Sequence, residues 1–229
     1  MKVAPSSSTG SILGLTALSF AHTSRKCSDL SIEVPVMARN AVFNFTPPKS
    51  NIDVINFVLD MTQQGHNLSN EVLTGQSLNM ASLINEIQSH LEIAALYSLT
   101  EKLREGSVDG IETGFDKVVH VGHSFGSIQS YSLAMLYPRV SDGLVLTGFS
   151  HAGQFIPYWD LSANLVPANS LSTFKDYQDG YIADGDVSAV QSNLFAPGAF
   201  DPVLLDLAYT SRKLAPIGEL LSIAGATAF

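Results

Sequence analysis

Residues 122–126 read Gly122-His123-Ser124-Phe125-Gly126, a serine with a glycine two positions away on each side. A serine hydroxyl held at the apex of a sharp turn can attack an acyl carbon. It needs a base to take its proton and N–H donors to stabilise the oxyanion that forms. Gly122 and Gly126 are both expected to be required, because side chains there would meet neighbouring backbone at so tight a bend. Upstream, Val118, Val119 and Val121 form a β-branched, nearly continuous run, the pattern of a strand buried on both faces of a parallel sheet. Downstream, Ile128, Tyr131, Met135 and Leu136 mark a helical stripe that Pro138 closes. The spacing therefore predicts strand, turn and helix in that order. Ser124 sits at the junction, and the Phe125 N–H at the helix start is one oxyanion donor.

Other elements must hold that junction in place. Gly143 to Gly148 (GLVLTG) reads as a second buried strand, which makes a strand–helix–strand unit. A long helix is predicted over Leu83 to Arg104, with Ile84, Ile87, Leu91, Ala95, Leu99 and Leu103 as its buried stripe and Gly106 beyond its end. Leu30 to Ala38 alternates like an edge strand, with Ala41 to Phe45 as its neighbour, and the pair is expected to stand apart from the central strands. Ser50 and Asp53 form a capping box for a helix whose stripe would be Ile52, Ile55, Val58 and Leu59. Gly65 to Ala81 reads as a loop, and so does most of Ser150 to Pro202. Tyr158, Trp159, Phe174, Tyr177 and Tyr181 in the latter either line a substrate pocket or pack the segment down. Helices are predicted over Val203 to Arg212 and Ile217 to Ala224.

With 229 residues and 45% hydrophobic content, the chain has enough material for one globular core. A formal net charge of −9, with no basic run longer than two, argues against nucleic acid and anionic membrane surfaces as partners. Cys27 is the only cysteine, so neither a disulfide framework nor a cysteine metal site can be built. Lys2, the apolar run Ile12 to Phe20 and the small residues around Ala21 resemble a secretory signal. That predicts residues 1–21 as a removed leader, 22–229 as a single domain and a secreted product. The apolar run is too short for a transmembrane span. Export would make Asn44 and Asn67, each in an Asn-x-Ser/Thr sequon, glycan acceptors.

Phe115 to Gly126 (FDKVVHVGHSFG), Ala134 to Pro138 (AMLYP) and Ser141 to Ser150 (SDGLVLTGFS) together resemble the middle of a secreted fungal α/β-hydrolase, a group with relatives near secondary-metabolite gene clusters. The likeness extends to the helix Asn85 to Gly106 and to stretches near Asn193 and Ile217. It implies a partial α/β-hydrolase fold: a reduced parallel sheet, a strand–nucleophile elbow–helix core and a loop- and helix-rich cap. It also implies carboxylic-ester hydrolysis by Ser124, with a small-molecule ester as substrate and neither metal nor organic cofactor.

In that family the order along the chain is Ser, then an acid, then His. After Ser124 this sequence has one histidine, His151, at a position usual for pocket lining. Asp142, Asp160, Asp176, Asp179, Asp184, Asp186, Asp201 and Asp206 follow Ser124, none in a recognisable acid context. Thr74-Gly75-Gln76-Ser77 resembles the remnant of a Gly-rich family turn, and no match to the usual second oxyanion donor is found. The resemblance therefore implies a shortened family member. Either it hydrolyses esters weakly, or it keeps the scaffold as an inactive protein that binds an apolar ligand or is vestigial.

Overall fold

The computed structural model describes residues 32–34, 36, 48–56, 87–111, 113–151 and 156–227. In chain order the elements are a short helix α1 (residues 51–56), α2 (Ser89–Glu105), β1 (Val119–His123), α3 (Phe125–Leu136), β2 (Gly143–Thr147), α4 (Ile156–Ser162), β3 (Leu165–Pro167), β4 (Tyr181–Asp184), α5 (Val187–Leu194), α6 (Pro202–Thr210), β5 (Ala215–Pro216) and α7 (Ile217–Thr227). The protein is mixed α/β, and its described residues fall into two compact units. The first lies within Met1–Ala38 and Leu91–Gly148, the second within Arg39–His90 and Phe149–Phe229.

The first unit is built on the expected strand–helix–strand sequence. β1 and β2 pair in parallel, in register from Val119 opposite Gly143 to His123 opposite Thr147, with α3 bridging them. The parallel pair is as the sequence predicts, but its burial is not. Val119 is 55% exposed, Val121 71% and Val145 47%, so one whole face of this two-stranded sheet is open. A β-branched run reports strand tendency; whether both faces are covered depends on how many layers the rest of the chain supplies.

The stripe expected on α3 is also displaced. Met135 and Leu136 are exposed, while Ser127, Ser130, Ser132 and Leu133 are buried. At its start the helix rests against the strand at Gly122, and small side chains fill that end, with Leu133 buried further along. Two of these serines have carbonyl partners: Ser130 Oγ donates to Gly126 O at 2.8 Å within the helix, and Ser127 Oγ donates across to Thr147 O on β2 at 2.8 Å.

On α2 the helix begins at Ser89, so Ile87 precedes it, and Ile84 lies outside the described residues. The deeply buried positions of this helix in the first unit are Ile93 and Thr100 rather than the predicted stripe. Thr100 is tolerated there because its hydroxyl donates to Leu96 O at 2.7 Å. Tyr97 stacks on Tyr137 with ring centroids 3.9 Å apart. In the N-terminal stretch, residues 32–34 and 36 form no strand, although Val34 and Val36 are buried; the rest of the expected strand pair lies outside the described residues.

The second unit corrects the expectation of a loop after Ser150. Between Ser150 and Pro202 lie α4, β3, β4 and α5, and β3 and β4 belong to an antiparallel sheet in which β4 lies between β3 and β5. Its strands have two to four residues each, too short to leave an alternating pattern. Val54, Ala163, Leu165, Ile182 and Ile217 make its core, with Leu220 and Leu221 packed alongside. The predicted capping box is present: Ser50 N–H donates to Asp53 Oδ2 at 3.0 Å and Asp53 N–H to Ser50 Oγ at 3.2 Å. The stripe behind it is wrong, since Val54 is buried while Ile52 and Ile55 face solvent; Val58 and Leu59 lie outside the described residues. The two C-terminal helices occur where predicted, and α7 is tied to Ser89 by a buried pair in which Ser222 Oγ accepts from Ser89 N–H at 2.9 Å.

Candidate functional site

β1 leads into α3 through a single residue, Ser124, whose backbone adopts φ 52°, ψ −120°. Among the described residues only Ser124 and Asn164 combine a positive φ with a side chain. Such a conformation costs on the order of 1–3 kcal/mol and persists where the surroundings over-determine it. Here the surroundings are identifiable. A Cβ on Gly122 would stand 2.3 Å from Gly126 O and 2.5 Å from Ser127 N, so the helix start can rest on the strand only because Gly122 has no side chain. Gly126 is different: among the described residues a Cβ there would meet nothing within 4 Å. The expectation that both glycines are sterically required holds for Gly122 and fails for Gly126, which lies in ordinary helix.

Ser124 is exposed and its hydroxyl does not cap α3. Phe125 is the first residue of α3, and among the described residues no backbone carbonyl takes its N–H. This is the state of the leading donors of any helix. An exposed hydroxyl thus stands at the end of a helix with open N–H groups, the local pattern that stabilises developing negative charge.

The end of β2 holds the elbow. Thr147 O accepts from Ser124 N–H at 2.9 Å and from Ser127 Oγ at 2.8 Å. Thr147 Oγ1 donates to Gly122 O at 3.0 Å and lies 2.9 Å from His123 Nδ1. His123 is exposed beside it.

No described histidine of the first unit bonds to Ser124 Oγ. His120 is buried inside β1, its Nε2 3.0 Å from Thr100 Oγ1 and its Nδ1 2.8 Å from Ser141 Oγ. Burial pushes its pKa below the usual imidazole value, and the Arg104 guanidinium adds to this. His151 belongs to the second unit, where its ring meets Phe149 edge-on at 4.9 Å. Asn44, Asn67 and Thr74 to Ser77 lie outside the described residues.

Several of the candidate acids have structural employment. Asp142 accepts from Val118 N–H and Lys117 Nζ, each at 2.9 Å, and pairs with Arg104; these contacts, the backbone donor foremost, hold its carboxyl well below the usual range. It stands opposite Val118, just before the paired strands begin, and Ser124 just after they end, about 20 Å apart at the usual rise per residue, so Asp142 cannot orient a base at the elbow. Asp186 and Asp201 are N-caps, accepting from Ala189 N–H at 2.9 Å and Val203 N–H at 2.8 Å. Asp179 accepts from Asn169 Nδ2 at 2.9 Å.

Asp160 on α4 is the exception. It is 3% exposed, its Oδ1 has no hydrogen-bond partner among the described residues, and burial pushes its pKa up to about 6. Sequence reasoning had no signal for it, because one Asp in an aromatic stretch looks the same whether it is buried or solvated. Similarly, Tyr158, Trp159 and Tyr177 are exposed, while Phe174, Tyr177 and Tyr181 form an edge-to-face chain.

No family model matches this chain, and no curated protein matches it. Among the described residues no helix is long and apolar enough to cross a membrane.

Proposed function

We propose that this chain is a serine hydrolase of the α/β-hydrolase superfamily, acting on small carboxylic esters with Ser124 as nucleophile. The observation that carries the reading is the backbone of Ser124, a non-glycine residue at φ 52° between a parallel strand and a helix, with Gly122 clearing the approach. In the reaction Ser124 Oγ adds to the ester carbonyl and loses its proton to a base. The carbonyl oxygen becomes an oxyanion beside the Phe125 N–H, the alcohol leaves, and water releases the acid from the acyl-enzyme. No metal or organic cofactor enters these steps. The acidic net charge fits a small neutral substrate better than nucleic acid. The same reading makes the protein secreted, with residues 1–21 removed and glycans on Asn44 and Asn67. Intact-mass and glycosidase analysis of protein exported by a fungal host tests that part.

A fluorophosphonate probe tests the nucleophile, since it labels only a serine made reactive by its surroundings. Labelling of the wild-type chain that disappears in Ser124→Ala is the expected result. Labelling that survives the substitution overturns the assignment.

A second reading is favoured by the engagement of His120 with Thr100 and Ser141, away from Ser124. Loss of the base costs a serine hydrolase several orders of magnitude in rate. On this reading the chain is an inactive homologue that binds an apolar ligand or is vestigial. Hydrolysis of nitrophenyl acetate at background rate, unchanged by Ser124→Ala, would select it.

A further inference from the structure

We infer that Thr147 is a positioning residue of the elbow: it fixes His123 as the Nδ1–H tautomer and so presents Nε2 as an exposed proton acceptor next to the nucleophile in the chain. The inference rests on Ser124 being the nucleophile and adds the group that sets the state of its neighbour. Thr147 meets four elbow residues. Its carbonyl takes the N–H of Ser124 and the hydroxyl of Ser127, and its Oγ1 contacts Gly122 O at 3.0 Å and His123 Nδ1 at 2.9 Å. A threonine hydroxyl has one proton, and a carbonyl oxygen can only accept. The Thr147 proton therefore goes to Gly122 O, and the remaining contact is satisfied only if His123 Nδ1 carries the proton and donates to Thr147 Oγ1. In a neutral imidazole the other nitrogen, Nε2, is then bare.

The chain of bonds is directional, from His123 Nδ1–H to Thr147 Oγ1–H to Gly122 O. It closes on the glycine whose missing side chain allows the bend. The ring lies over Gly148, in the space a side chain there would need: a Cβ on Gly148 would stand 3.0 Å from His123 Cε1. His120 shows the contrast within the same strand. Both its nitrogens are engaged by hydroxyls, Nε2 with Thr100 Oγ1 at 3.0 Å and Nδ1 with Ser141 Oγ at 2.8 Å.

The test uses the full chain in three forms, wild type, Thr147→Val and Thr147→Ser. Valine keeps the shape and the backbone carbonyl but removes the hydroxyl; serine restores it. Long-range nitrogen–carbon-proton correlation NMR of ¹⁵N-labelled histidine should show His123 as Nδ1–H in the wild type and in Thr147→Ser, and as a mixture of tautomers in Thr147→Val. Fluorophosphonate labelling of Ser124 should fall on the order of tenfold in Thr147→Val and recover in Thr147→Ser, as expected for small displacements of a reacting group. A wild-type His123 protonated at Nε2, or a Thr147→Val protein with unchanged tautomer and labelling, overturns the inference. If the wild type is never labelled, the serine-hydrolase reading fails, and the NMR tautomer still decides the lock. A variant that loses its fold is recognised by circular dichroism, and the wild-type tautomer then stands as the deciding measurement.

Discussion

The two glycines that flank Ser124 should respond to alanine with opposite signs. At Gly122 the added Cβ would lie 2.3 Å from Gly126 O, 2.5 Å from Gly126 C and 2.5 Å from Ser127 N. All three obstacles are backbone at the start of α3, so no side chain can rotate away, and relief requires the helix start to retreat by about an ångström. Overpacking of this kind costs about 1–3 kcal/mol where side chains give way, and rigid backbone places Gly122→Ala at about 3 kcal/mol or more. At Gly126 nothing among the described residues lies within 4 Å of the new atom, and the residue is helical. Gly126→Ala should therefore stabilise by about 0.5–1 kcal/mol, from helix propensity and a less flexible unfolded chain. Urea unfolding followed by far-UV circular dichroism gives both numbers. A Gly122→Ala protein within about 0.5 kcal/mol of wild type would refute the close approach of strand and helix, and with it the reason for the bend at Ser124.

Three further outcomes follow from named groups. Glycine tolerates φ 52° and alanine does not, so Ser124→Gly should be more stable than Ser124→Ala by about 1 kcal/mol; equal stabilities in urea would mean the elbow is unstrained. His120 is buried with its pKa lowered, so the unfolded chain binds a proton that the folded one refuses. Stability present above pH 6.5 should be lost as pH falls below it, and His120→Gln should flatten that part of the profile. Asp160 has the opposite sense: its carboxyl moves from 3.8 up to about 6, so folding is favoured by the proton and stability should fall as pH rises from about 4 to about 6. At 1.4 kcal/mol per tenfold change in acidity that is about 3 kcal/mol, visible as the pH dependence of the difference between wild type and Asp160→Asn; a difference constant over that range would place Asp160 in solvent.

How far the sequence could be read depended on the range of the interactions involved. The β1–elbow–α3–β2 unit was legible because its signals are local: a β-branched run, a glycine-flanked serine, a helix-compatible stretch closed by Pro138, and a second apolar run. The Ser50–Asp53 capping box and the two C-terminal helices were legible for the same reason, each being set by residues within one or two turns of itself. Burial was not. Val119 and Val121 look like core residues and are exposed, whereas Ser127, Ser130 and Thr100 look like surface residues and are buried. What reverses them is the number of layers over the sheet and the closeness of α3 to β1, neither of which is encoded in a window of a few residues. The short strands β3, β4 and β5 escaped because two to four residues cannot carry a period.

At the site the division is the same. By itself the sequence determined that Ser124 would stand at a strand–helix turn, with Phe125 opening the helix. Tertiary structure alone decided that Gly122 and not Gly126 makes the turn possible, that Asp142 lies at the far end of the strands, and that Thr147 meets Gly122, His123, Ser124 and Ser127 together. Thr147 is 23 residues from Ser124 along the chain, and only the parallel register of β1 with β2 brings one side chain and one carbonyl to four positions of the elbow.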